Sequence, residues 1–223
     1  MSKREDLQLP VVRLYRNLVR GEQIVVFGDP ADSKDFCAAV AFSKKFYDCP
    51  LIYNQVTASS QFGYDLNNFC KYIYNQTSIW PKLGVERNTG QATIFVLKTL
   101  NYPDLFRMVD FSAAGTVEGG DIGWVTTGSW SGGELQGTRR KMLDDLSLAI
   151  TQNQITLYDE QQILQLKSFQ LVRGRAQARS NKHDDLVIAT AGAWQLHLTT
   201  PSIDWDDYDE DAMRQKREKW RFK

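Results

Sequence analysis

Cysteine is scarce. Cys37, Cys49 and Cys70 make an odd number without Cys-x-x-Cys spacing, which argues against a disulfide framework and for reduced, structural thiols. No apolar run reaches membrane-spanning length, and the opening Met1-Ser2-Lys3-Arg4-Glu5-Asp6 has no apolar core for export. A soluble, intracellular protein is expected. Charge of one sign is also missing: Lys plus Arg and Asp plus Glu both number 27. A uniformly basic surface is thereby excluded, so contact with a polyanion must come from local patches. The loop Gly-x-x-x-x-Gly-Lys-Ser/Thr does not occur, which rules out ATP hydrolysis by that route. What remains, 223 residues at 42% hydrophobic and 24% charged, is enough for one domain with a real core.

The run Ile24-Val25-Val26-Phe27-Gly28 is short, continuous and rich in β-branched and aromatic residues, and Asp29-Pro30 stops it. It reads as a buried strand ending in a carboxylate. Further strands are predicted near 36–43 and 50–56, making a meander, and near 82–86. Helices are predicted over 61–75, 91–100, 138–153, 160–168 and 188–198. Residues 106–123 and 169–179 read as hairpins, 128–134 as a loop and 155–158 as a short strand. This alternation predicts an α/β fold with a central mixed sheet flanked by helices and an additional β-hairpin.

Three carboxylate positions stand out. Asp29 ends the first core strand, Glu86 ends Leu83-Gly84-Val85, and Asp184-Asp185 open the apolar run Leu186-Val187-Ile188-Ala189. Each has an ordinary alternative: Asp29 as a turn former, Glu86 as a charge at a strand edge, and Asp184 or Asp185 as a helix cap. Adjacent helical residues point about 100 degrees apart, so spacing leaves both aspartates open, with Asp185 preferred.

The segments occur in an informative order: Gly28-Asp29-Pro30-Ala31-Asp32, then Val85-Glu86-Arg87-Asn88-Thr89-Gly90, Gly123-Trp124-Val125-Thr126, Gly137-Thr138-Arg139-Arg140-Lys141, and His183-Asp184-Asp185-Leu186-Val187. Over roughly Gln23 to Leu198, this ordered set resembles the nuclease domain of the large terminase subunit of tailed double-stranded DNA bacteriophages. That family is a branch of the RNase H-like fold.

The resemblance implies a metal-dependent endonuclease that cuts concatemeric viral DNA during genome packaging. Asp29, Glu86, Asp184 and Asp185 would be its catalytic and metal-binding candidates. Phosphodiester hydrolysis with divalent ions on both the attacking water and the leaving oxygen implies two Mg²⁺ or Mn²⁺ ions, which take oxygen ligands. Asp32 and His183 are candidates for an outer shell. Arg139, Arg140, Lys141, Arg173, Arg175, Arg179 and Lys182 are candidates for DNA contact, because they form basic patches in line with the acids.

By the same resemblance, the partners are double-stranded DNA, a terminase ATPase domain, the small terminase subunit and the portal, in the host cytoplasm. Residues 1–22 are expected to be a leader or linker remnant, 23–199 the nuclease domain, and 200–223 a charged tail, acidic from Asp204 to Asp211 and basic from Arg214 to Arg221. The ATPase would be either a missing domain or a separate chain. Two other functions remain open: an RNase H-like junction resolvase or strand-transfer enzyme, and a binding module whose acids are only caps and turns.

Overall fold

The computed structural model describes residues 11–31, 35–109, 118–127, 129–131, 134–172, 175–178 and 184–203. Its centre is a five-stranded sheet of β1 (Val12–Leu14), β2 (Ile24–Asp29), β3 (Phe36–Ser43), β4 (Leu51–Val56) and β5 (Lys82–Val85), in the order β1-β4-β3-β2-β5. β2 and β5 run parallel, and the other neighbours are antiparallel. The mixed sheet is therefore as the sequence predicts, and the parallel pair puts the C-terminal ends of β2 and β5 side by side.

β2 and β3 are apolar at nearly every position because both faces of the sheet are covered. Alternate residues serve opposite cores. Ile24, Val26, Cys37, Ala39 and Ala41 face α1 (Ser59–Thr77) and α2 (Gln91–Thr99), meeting Phe62, Leu66, Phe69, Cys70, Ile73, Ile94 and Leu97. Val25, Phe27, Ala38, Val40 and Phe42 face the other way, onto a cluster with residues of α3 (Thr138–Thr151) and α5 (Asp185–Thr199). The fourth helix, α4 (Glu160–Ser168), packs on α5. No helix among the described residues is long and apolar enough to cross a membrane.

The final helix is apolar around its whole circumference, as a helix enclosed by protein must be. Residues Asp185 to Leu196 are all buried. It approaches the sheet closely because its middle is Ala189, Ala191, Gly192 and Ala193. A Cβ added at Gly192 would lie 2.3 Å from the Phe27 ring. Gly192→Ala is expected to destabilise the fold by about 1–3 kcal/mol through overpacking, although alanine is the better helix former by about 1 kcal/mol. Urea denaturation measures this, and a stabilised variant would show that the contact does not constrain the helix.

Two-stranded ladders complete the fold: β6 (Arg107–Val109) with β7 (Glu118–Ile122), β8 (Ser129–Ser131) with β9 (Glu134–Gln136), and β10 (Phe169–Val172) with β11 (Arg175–Ala178). The first and third are the predicted hairpins. The second falls where the sequence predicts a loop. The short strand expected at 155–158 is reduced to a single bridge between Thr156 and Asp48.

Before Gly21, in the segment expected to be a leader or linker remnant, Leu14, Leu18 and Val19 stand at helical spacing. Val12–Leu14 instead form the edge strand, paired with Leu51–Tyr53. The segment is also fastened across the chain. Arg13 Nε and Tyr15 Oη each donate to Asp159 Oδ2 at 2.5 Å, while Arg16 bridges the buried Glu22 and Asp48. A three-residue strand has too few residues to show its period, and its place depends on an open sheet edge.

Candidate active site

The acids separated along the chain arrive at one end of the sheet. Asp29 is the last residue of β2 and pairs with Ala38 of β3. The Glu86 amide, one residue past β5, donates to the Gly28 carbonyl at 2.9 Å, so Glu86 emerges beside Asp29. α5 runs antiparallel to β2. Gly192 sits over Phe27, and beyond the helix Gln23 Nε2 donates to the Pro201 carbonyl at 2.9 Å. The start of α5, with Asp184 and Asp185, must then lie at the Asp29 end.

Electrostatics record this convergence. The Asp29 carboxyl is pushed well above the usual carboxylate range, first by burial and then by the charges of Asp185, Glu86 and Asp184, with Arg139 opposing them. Such crowding of like charge is what a cation would relieve.

Glu86 follows the edge strand β5 but is not a solvated charge. It is 5% exposed, and its carboxylate is held from both sides. Oε2 accepts from the Thr89 amide at 3.0 Å and lies 3.0 Å from the Thr89 hydroxyl, while Oε1 accepts from the Thr126 hydroxyl. Asn88 Nδ2 in turn donates to Thr126, at 2.6 Å to its carbonyl and 2.8 Å to its hydroxyl. Thr126 is in place because the Trp124 amide donates to Val85 and the Arg87 amide to Trp124, each at 2.8 Å. Two glycines permit this close approach: Gly123, with φ +92°, and Gly90, where a Cβ would stand 2.1 Å from the Glu86 carbonyl. The ordered motifs containing Asn88, Gly90, Gly123, Trp124 and Thr126 were visible in the sequence. Their joint task of fixing one carboxylate was not, because the bonds span 38 to 40 positions.

The paired aspartates differ. Asp184 occupies the cap position of α5 yet makes no hydrogen bond to the helix's own amides. The Leu186 amide donates instead to Gln165 Oε1 of α4 at 2.9 Å, a capping role that sequence reading missed. Asp185 is 8% exposed, whereas Asp184 is 31% exposed and pairs with Arg139 Nη2 at 3.2 Å.

Of the basic candidates, Arg139 reaches the acids, whereas Arg140 and Lys141 pair along their own helix with Asp144 and Asp145. Arg175 lies in β11. Asp32, Arg173, Arg179, Lys182 and His183 lie outside the described residues.

The donor set is oxygen. Cys37, beside Asp29, has its thiol pushed up to about 11, chiefly by burial and also by the charges of Asp29 and Asp185, so it stays protonated. All three cysteines are free and buried. Among the described residues, no three His, Cys, Asp or Glu side chains are drawn together closely enough to hold an ion as they stand.

No protein-family model matches the chain, and no curated protein matches it by sequence. Solved structures do match it by shape. The large terminase nuclease from thermophilic phage G20c is 12% identical, with a TM-score of 0.62 over 84% of this chain and 89% of that one. Its magnesium-bound form gives 12% and 0.61 over 84% and 88%. The large terminase nuclease domain of Thermus phage P74-26 gives 11% and 0.62 over 88% and 90%. At such identities the likeness is one of architecture: this chain has the RNase H-like fold of the large terminase nuclease domains.

Proposed function

We propose that this chain is a divalent-metal-dependent endodeoxyribonuclease, the nuclease of a large terminase, which cuts concatemeric double-stranded viral DNA during genome packaging. The observation that carries this reading is the meeting of Asp29, Glu86 and Asp185 at the ends of β2, β5 and the start of α5, where Asp29 is crowded by the other acids. The magnesium-bound G20c nuclease, of the same fold, adds support.

The residues suit a hard cation. Carboxylate oxygens are what Mg²⁺ and Mn²⁺ take, and positive charge offsets the repulsion around Asp29. Asp29, Glu86 and Asp185 would hold the metal, and a two-ion arrangement is the form this reading takes. When bound, divalent metal supplies an activated water and a counter-charge for the leaving oxygen. The protein's own part is placement. Thr89 and Thr126 fix the Glu86 carboxylate. Asp184, engaged with Arg139, is assigned outside the ligand set. In the cell, the DNA, ATPase, small subunit and portal partners implied by the sequence resemblance belong to this reading, as does a host cytoplasmic setting.

The test is incubation of the full chain with supercoiled plasmid in Mn²⁺, Mg²⁺ or EDTA, beside Glu86→Gln and Asp185→Asn. Nicking and linearisation in metal alone, reduced by about 10³-fold or more in both variants, is the expected outcome. Folded wild type that cuts with neither metal defeats the reading.

Thr126→Val tests the support of Glu86. It keeps shape but removes the hydroxyl donor, and groups that orient a metal ligand are typically worth about 10–100-fold in metal affinity. Titration calorimetry with Mn²⁺ is expected to show a loss of that size. Unchanged affinity would mean that Thr126 does not position Glu86.

A further inference from the structure

α3 begins with three consecutive cations that have different partners. Arg140 and Lys141 pair one turn onward with Asp144 and Asp145 of the same helix. Arg139 crosses to another element, its Nη2 donating to Asp184 Oδ2 at 3.2 Å.

Its backbone is firmly held. The Arg139 amide donates to the Thr127 carbonyl at 3.1 Å, and the Thr138 hydroxyl donates to the Val125 carbonyl at 2.5 Å while accepting from the Thr127 amide at 2.8 Å. Gly137, at φ +103°, allows the chain to pass where a Cβ would meet the Thr127 carbonyl at 2.5 Å. The first turn of α3 is thus bolted to the segment whose Thr126 grips Glu86, which places Arg139 on the same rigid frame as the acid site.

The ion pair itself is weakly built. Arg139 and Asp184 are 30% and 31% exposed, and solvent screens pairs of this kind heavily. A guanidinium offers five donors in a plane, a fork that a phosphodiester's oxygens match as well as a carboxylate does.

We propose that Arg139 is the phosphate-binding cation at the rim of the acid site, and that the Asp184 carboxylate occupies, in the DNA-free protein, the place of a non-bridging oxygen of the DNA backbone. Asp184 is then a positioning residue that keeps the guanidinium extended and is displaced when DNA arrives. The identity of the anion rests on the nuclease reading, whereas the exchange itself rests on the pair and its frame.

The experiment measures binding of the full chain to a fluorescent DNA duplex across a salt series, with Ca²⁺ in place of Mg²⁺ or Mn²⁺, for Arg139→Gln, Arg139→Lys, Asp184→Asn and the Arg139→Gln/Asp184→Asn double variant. Arg139→Gln is expected to weaken binding about tenfold and to lower the salt slope by about one, with Arg139→Lys in between. Asp184→Asn is expected to tighten binding about threefold or more, and that gain vanishes in the Arg139→Gln background, which isolates the coupling. Mn²⁺ binding by calorimetry survives in Asp184→Asn.

An equal gain in both backgrounds, an Arg139→Gln variant that binds like wild type, or loss of Mn²⁺ binding in Asp184→Asn overturns the proposal. Wild type that binds duplex but does not cut it in Mn²⁺ removes the nuclease reading and leaves these comparisons decisive. Wild type that binds no duplex removes both.

Discussion

Asp29→Asn is expected to make the metal-free protein more stable and the enzyme inactive. The two effects share a cause. The Asp29 carboxyl is pushed well above its ordinary range by burial and by Asp185, Glu86 and Asp184. A carboxyl with a raised folded-state pKa contributes stability in full only below its unfolded value of about 3.9, and this is lost as pH rises through the folded value. Wild type in EDTA should therefore lose stability from about pH 4 upward until Asp29 has ionised. The carboxamide of the variant cannot titrate, so this part of the pH dependence should disappear and the variant should melt higher at neutral pH. Addition of Mn²⁺ should reverse the order, raising the melting temperature of wild type and leaving the variant where it was. DNA cleavage should fall by about 10³-fold or more. Thermal melts against pH, with and without Mn²⁺, separate this account from a structural one. If Asp29→Asn melts lower than wild type in EDTA at neutral pH, the carboxylate is stabilising the fold and the proposed electrostatic strain is absent.

Trp124→Ala should be the most damaging core change. The ring is fully buried and stacks on Phe106 at 5.9 Å between centroids, within the cluster shared by Phe27, Met142, Leu146 and α5. Truncating a buried Trp costs about 3–5 kcal/mol, a large share of the roughly 5–15 kcal/mol that holds a domain folded. The backbone of Trp124 also bridges Glu86, and Thr126 two residues on holds the Glu86 carboxylate. Loss of the ring loosens the segment that positions the acid, so a shift in the urea midpoint should be accompanied by weaker Mn²⁺ binding. Trp124→Phe fills part of the space and should recover much of both. A loss under about 1 kcal/mol on truncation would show that the packing around Trp124 readily collapses to fill the space.

Several parts of this molecule are legible in its sequence because they are local. The β-branched run ending at Asp29 specifies a strand covered on both sides. The periodic apolar residues of Phe62, Leu66, Phe69 and Ile73 specify one face of α1. The acids sit where apolar runs stop, so their positions at element ends also follow from the sequence. Elsewhere local pattern was insufficient. Three residues at β1 cannot declare a period, and the pairs Arg13 with Asp159 and Leu186 with Gln165 join positions 146 and 21 residues apart.

The difference between Asp184 and Asp185 shows the division most clearly. The sequence determined that two carboxylates open an apolar helix and that other acids end core strands, since hydrophobic pattern and residue chemistry are carried by each short segment. Only the tertiary structure decided which aspartate is buried near Asp29 and which faces Arg139. That outcome is set by the seating of α5, which the absent side chain of Gly192 allows against Phe27, and by the anchoring of α3 to Val125 and Thr127. Helix rotation and approach are properties of packed surfaces, and no window of the chain contains both.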